Sequence, residues 1–279
     1  MRGHTMHCKH PSAREILGIL ALIFILTPRS EANQRHFTYN YESGVLAPGQ
    51  CEAEFWTTWR NGRANFYSQF EHRAEFEFGV TDRLMTSVYL NWKKTSMQDP
   101  TNKDATVTKG EFQGLSSEWK YKLLDPVADP VGLALYQEYS AESNEFEWEN
   151  KLILDKRVGD TLLAYNLTVE PGWTFGPGNR SYTIASENTV GATQFLTSRW
   201  AAGLELRNVN ENQPTSTGFE YSALFVGPVV SYSRYEWWIA LSWMRQLPAL
   251  KKSLANPQDK LILDEQEKNN IRILASIHF

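Results

Sequence analysis

The chain has 279 residues, with 32 acidic against 28 basic side chains, a net charge of −4, and 13% aromatic residues including ten Trp. That acidic balance excludes a nucleic-acid surface of the usual basic kind. The sequence has no zinc-type Cys/His spacing, no phosphate-cradling Gly loop and no EF-hand pattern, so neither a cofactor nor a metal is expected.

Residues 1–32 read as a secretory signal peptide. Arg2, Lys9 and Arg14 precede the apolar run Ile16–Thr27, and small residues in Ser30-Glu31-Ala32 set a cleavage site after Ala32. The run is too short for a spanning helix, which needs about 20 residues. Residues 1–32 hold four basic and two acidic side chains, so the chain after cleavage carries −6. Cys8 leaves with the peptide, and Cys51 then reads as a small apolar residue rather than a reactive one. Asn33–Gly49 reads as a periplasmic lead-in, and residues 50–279 as one barrel domain.

From Cys51 onward the chain breaks into segments whose apolar residues alternate with polar ones, the period of a strand with two different faces. The first, Cys51–Arg60, sets Ala53, Phe55, Thr57 and Trp59 against Glu52, Glu54, Trp56 and Arg60, and Asn61-Gly62 supplies a hairpin turn. In the second, Phe66, Phe70, His72, Phe76 and Phe78 oppose Tyr67, Gln69, Glu71, Arg73, Glu75 and Glu77. Charges in succession on one face of so aromatic a strand suit a wet lumen, not a soluble core. Strands follow near residues 84–92, 115–123, 133–139, 147–155, 163–169, 183–196 (weakly patterned) and 200–207. Their inward faces carry Glu118, Lys120, Glu138, Glu149, Lys151, Glu205 and Arg207.

Parity decides the next element. A turn at Gly227-Pro228 would give thirteen strands, whereas single-chain bacterial barrels have an even number with both termini periplasmic. Gly218–Ser233 is therefore read as one strand with a bulge at Gly227-Pro228, Glu220 facing inward. Trp237–Gln246 and Asn269–Phe279 complete twelve. Short turns at 79–83, 124–130, 157–161, 196–199 and 234–236 then fall on one side. Long polar loops at 95–110, 171–181, 208–217 and 247–268 fall on the other. Trp59, Trp92, Trp148, Trp200 and Trp237 would form interfacial girdles. The fold expected is all-β: a membrane-spanning antiparallel up-and-down barrel of about twelve strands, closed by its C-terminal strand.

That last strand, with Ile271, Ile273, Ile277 and the terminal Phe279 on one face, resembles the closing strand of bacterial outer-membrane barrels. In those proteins the terminal aromatic belongs to the signal read by the barrel-assembly machinery, so this machinery and outer-membrane lipid are the implied partners. The run Glu75-Phe-Glu-Phe-Gly-Val-Thr-Asp-Arg-Leu84, the run Gly114 to Pro126 and Val226-Gly-Pro228 resemble a group of small outer-membrane barrels named as transporters or channels. One branch of that group is named for the MetA pathway of phenol degradation. These are turn-and-strand signatures, informative on fold and not on solute.

Glu54, Glu71, Arg73, Glu75, Glu118, Lys120, Glu138, Glu149, Lys151, Glu205, Arg207 and Glu220 are the candidate lumen residues. They suit either a narrow conduit for small polar or aromatic solutes or a closed ladder of ion pairs, the latter leaving a structural barrel that binds through loops 95–110 and 247–268. His72, amid a face assigned to lipid, raises a lipid-hydrolase reading. The nearest same-face serine, Ser68, is roughly 13 Å away at about 3.3 Å per residue. An enzyme is not expected unless Thr57 or Thr86 supplies a hydroxyl across the strands.

Overall fold

In the computed structural model, residues 34–176, 179–214 and 216–279 are described; the signal peptide read over 1–32 lies outside them. Alternation produces β1 (Cys51–Asn61), β2 (Tyr67–Gly79), β3 (Leu84–Gln98), β4 (Thr106–Leu124), β5 (Gly132–Ala141) and β6 (Glu145–Val158). The second half gives β7 (Thr161–Gly176), β8 (Asn179–Phe195), β9 (Trp200–Gln213), β10 (Gly218–Ser233), β11 (Trp237–Lys251) and β12 (Asn269–His278). Each strand pairs antiparallel with its sequence neighbours, and β12 pairs with β1, from Glu52 opposite His278 to Asn61 opposite Asn269. Among the described residues, closure leaves no unpaired sheet edge.

Polarity is inverted relative to a soluble protein. On β9 the carboxylate Glu205 is 0% exposed while its neighbour Leu204 is 58% exposed. Val88, Leu90, Leu115, Leu135, Leu163 and Trp243 are likewise exposed on the outside. Such a wall is stable where hydrocarbon, not water, touches the outer face. Trp200, Tyr232 and Trp237 pack in sequence, tilted, at the mouth that holds the C-terminus (the terminal mouth), with centroids 4.7 and 5.3 Å apart. Trp59 stacks on Phe70, and Trp148 on Tyr139, toward the far mouth.

Four readings of the sequence need correction. Strands run on into the stretches assigned to long loops: β3 continues to Gln98 and β4 begins at Thr106, and β7 and β8 extend to Gly176 and from Asn179. Cross-strand backbone bonding outweighs polar composition there, and among the described residues the long connection that remains is 252–268. Gly227-Pro228 carries no bulge; both stay in register with Glu205 and Leu204. Register shifts fall instead between Phe219 and Tyr221 and between Ser222 and Leu224. The first of these skips Glu220 in the pairing with β9, and at the rim its carboxylate accepts a hydrogen bond from Thr217.

The largest correction concerns Asn33–Gly49. Residues 35–46 are not a lead-in outside the barrel but an irregular segment inside it. Phe37, Thr38, Asn40, Ser43 and Leu46 are all almost fully buried. Aromatic and apolar side chains with no strand partner of their own are buried most cheaply within the lumen.

Candidate functional site: the occupied lumen

The inner segment enters and leaves through the terminal mouth, where Gln34, His36, Glu42 and Val45 line a cavity of about 1110 Å³. Its tip reaches the middle of the barrel. There Tyr39 and Tyr41 form the floor of a second cavity, of about 290 Å³, facing the far mouth.

The wall is shaped for this segment. A Cβ on inward-facing Gly191 would lie 2.5 Å from the Phe37 ring, and one on Gly132 would lie 2.3 Å from Ser43 Oγ. The wall also grips the backbone. The Glu205 carboxylate accepts from the backbone N–H of Thr38, Tyr39 and Asn40 at 2.9–3.1 Å, and from the Thr38 hydroxyl and the Asn40 amide. Asn166 accepts from the Tyr41 N–H and donates to the Tyr41 carbonyl, as a strand partner would. Asp155 accepts from the Ser43 N–H. Successive backbone donors converging on one carboxylate offset the cost of burying Glu205 completely.

Cations fasten the tip from above and below. Arg35 of the segment lies 3.3 Å from Glu54 and over the Tyr41 ring. Arg272 stacks over Tyr39 and Trp56 and donates to Thr58. At the terminal mouth His36 and Glu42 pair at 3.1 Å. Burial pulls the His36 pKa down, but the Glu42 carboxylate outweighs it and holds the imidazole above its ordinary value. Burial likewise raises Glu42, and His36 reverses this to a net lowering.

The other expected lumen residues do face inward, and several are mutually paired. Glu71 bonds Arg60 at 2.9 Å, Arg73 grips Glu138, Lys151 meets Glu149 at 2.9 Å, and Arg207 meets Glu187 at 2.6 Å. Glu75, Glu118 and Lys120 are buried in the same interior. Most of these pairs join neighbours along the wall, whereas Arg73 on β2 reaches over β3 and β4 to Glu138 on β5. The body that fills the centre is the inner segment.

Asp155, Asn166 and Arg272 were not singled out as site residues, since only contact with the segment reveals their part. Gly132 and Gly191, inward positions without a side chain, were the one available signal.

On the outer face, Thr57 Oγ1 lies 2.9 Å from His72 Nδ1. That meets the geometric condition set for a hydroxyl–imidazole pair. The ring is stacked among Phe55, Phe70 and Trp92, at 5.4–6.4 Å between centroids. Among the described residues no group bonds its second nitrogen, which a hydrolytic triad would need for orientation. The contact satisfies a polar side chain on an apolar wall. Ile273 and Ile277 are exposed on this same outer face, and the Phe279 ring packs 5.3 Å from Phe76.

A family model matches residues 29–279. The chain belongs to DUF6662, a family of unknown function. Among curated proteins none matches the sequence. Among solved structures, the chain is similar to the COG4313 outer membrane channel from Pseudomonas putida F1, at 11% identity and TM-score 0.56, covering 87% of this chain and 100% of that one. It is also similar to the NanC porin, at 13% identity and TM-score 0.52, covering 81% and 98%. The beta domain of the Bordetella autotransporter BrkA matches at 12% identity and TM-score 0.51, covering 83% and 100%. At such identities the likeness is one of fold, that of outer-membrane β-barrels.

Proposed function

We propose that this protein is an outer-membrane channel for small polar or aromatic solutes, held shut by its own N-terminal segment. Both termini face the periplasm and residues 252–268 face the cell exterior. The observation that carries this reading is the set of five hydrogen bonds from residues 38–40 to Glu205. The segment packs Phe37 and Tyr39 against apolar wall side chains, and these directional bonds in addition fix its backbone at one place. This segment is a separate body, outside the sheet ladder, tied at a few wall side chains, with cavities on both sides of it. Support also comes from the resemblance to barrels named as transporters, the MetA-pathway branch among them, and from the solved neighbours described as a channel and a porin.

Planar-bilayer recording of refolded protein tests it. The wild-type chain should show rare openings, and Glu205→Ala should raise the open fraction at least several-fold. If neither protein conducts in repeated reconstitutions while both are folded by circular dichroism, the channel reading is overturned.

One observation favours a second reading, a sealed barrel that binds through its external surface. Residues 252–268 fold back over the far mouth, with Ile262 fully buried and Gln246 bonding its N–H and carbonyl. Replacing the exposed tip 254–259 by a short Gly-Ser turn separates the two: a surface binder loses its function, a channel keeps its currents.

A further inference from the structure

The inward carboxylates are arranged in a register that the sequence does not display. Across the hydrogen-bonded sheet, Glu52 stands opposite Glu77, Glu77 opposite Ser87, Ser87 opposite Glu118, Glu118 opposite Glu138, and Glu138 opposite Glu149. Directly opposed residues of an antiparallel pair lie only about 4.5–5.5 Å apart. Because the strands are sheared, this row starts at the terminal end of β1 and climbs to the cavity at the far side, which Glu138 and Glu149 line. Glu54 opposite Glu75 doubles the row at its lower end.

Like charges directly opposed destabilise a sheet, and a lumen that merely needed filling could use Ser or Gln at every one of these positions. At the upper end Glu138 and Glu149 are paired with Arg73 and Lys151, but carboxylates at the lower end are left unfinished. Glu54 Oε2, Glu75 Oε1 and Glu77 Oε2 are buried without a hydrogen-bond partner among the described residues, on side chains at most 6% exposed. The cation nearest this lower end that does not belong to the wall is the guanidinium of Arg35, carried in by the inner segment and touching Glu54. Its Nε is itself without a partner.

We propose that the acidic row is a path for cations, and that Arg35 occupies its lower end as a tethered stand-in for a guanidinium- or ammonium-bearing solute. This rests on the channel reading and gives that channel its substrate class. The geometry is that of a line, not a chelate: among the described residues no three acidic, His or Cys side chains converge closely enough to hold a metal. Withdrawal of the segment removes Arg35 and leaves Glu54, Glu75 and Glu77 facing water, where a diffusing cation replaces the guanidinium one for one.

Chemical rescue tests the cradle without relying on currents. The full chain bearing Arg35→Ala should melt below wild type, and millimolar guanidinium chloride should restore Tm saturably where sodium chloride at equal ionic strength does not. Adding Glu54→Gln to Arg35→Ala should abolish the rescue. Arg35→Met, which keeps the apolar stem, serves if the alanine variant does not fold. Identical responses to the two salts would overturn the cradle. In bilayers under a salt gradient, Arg35→Ala should give a reversal potential on the cation side that moves toward zero with Glu75→Gln and Glu77→Gln. Currents without cation preference overturn the path and leave the channel reading standing. Absence of any current overturns the channel reading, and the rescue then decides the cradle alone.

Discussion

Tyr39, at the tip of the inner segment, and Ile262, from the long loop at the opposite mouth, lie in one buried apolar cluster with Val209, Tyr221, Phe225 and Met244. The lumen is thus filled by two elements that enter from opposite ends and pack against one shared apolar cluster. Each covers apolar surface the other would leave exposed, so loosening one lowers the stability of both.

Ile262→Ala should therefore act on the inner segment as well as on its own loop. Truncating a buried Ile costs roughly 2–5 kcal/mol. Amide exchange should quicken both in residues 252–268 and in residues 37–41. Faster exchange confined to the loop would show that the two closures are independent.

Gly191→Ala should dislodge the segment while sparing the barrel. Its new Cβ would fall 2.5 Å from the Phe37 ring and 2.9 Å from Asn40 Nδ2. Overpacking of this kind costs about 1–3 kcal/mol. The same substitution with Phe37→Ala should regain wild-type closure, measured as channel open fraction. An unchanged open fraction in the single variant would refute the fit.

The His36–Glu42 pair makes closure depend on pH. The His36 pKa is raised above its ordinary 6.5, so its contribution is complete below that value and is lost as pH rises through the folded one. The Glu42 pKa is lowered, so its contribution is present above the ordinary 4.5 and is lost as pH falls through the folded one. The segment should be held best between these limits and loosen on the alkaline side. Exchange rates at residues 36–42 across pH 5–9, in the wild type and in His36→Gln, measure this, and the variant should lose the alkaline limb.

On the outer wall, Thr57 and His72 should behave as a unit. Removing one partner strands a polar group on an apolar face, whereas replacing both by apolar residues of similar shape is nearly neutral. Thr57→Val and His72→Phe should each destabilise by about 1 kcal/mol, and the double variant by less than their sum. Strict additivity in urea titrations would show that the hydrogen bond contributes nothing.

Alternation along the chain settled which side chains face the lumen and which face lipid, because the two faces of a strand are set by a local period of two. Glu54, Glu71, Arg73, Glu118 and Lys120 were legible for that reason, and so was the strand count, once Ile271 to Phe279 fixed the direction of closure. Three things came only with the tertiary structure. The fate of residues 35–46 depends on complementarity with Gly132, Gly191, Asn166 and Glu205, which lie far from them in the chain. The place of Glu220 at the rim, skipped by the pairing of β9 with β10, depends on a register shift that composition does not encode. The acidic row from Glu52 to Glu149 exists only between strands, since shear decides which residue stands beside which, and shear belongs to the closed barrel rather than to any one segment.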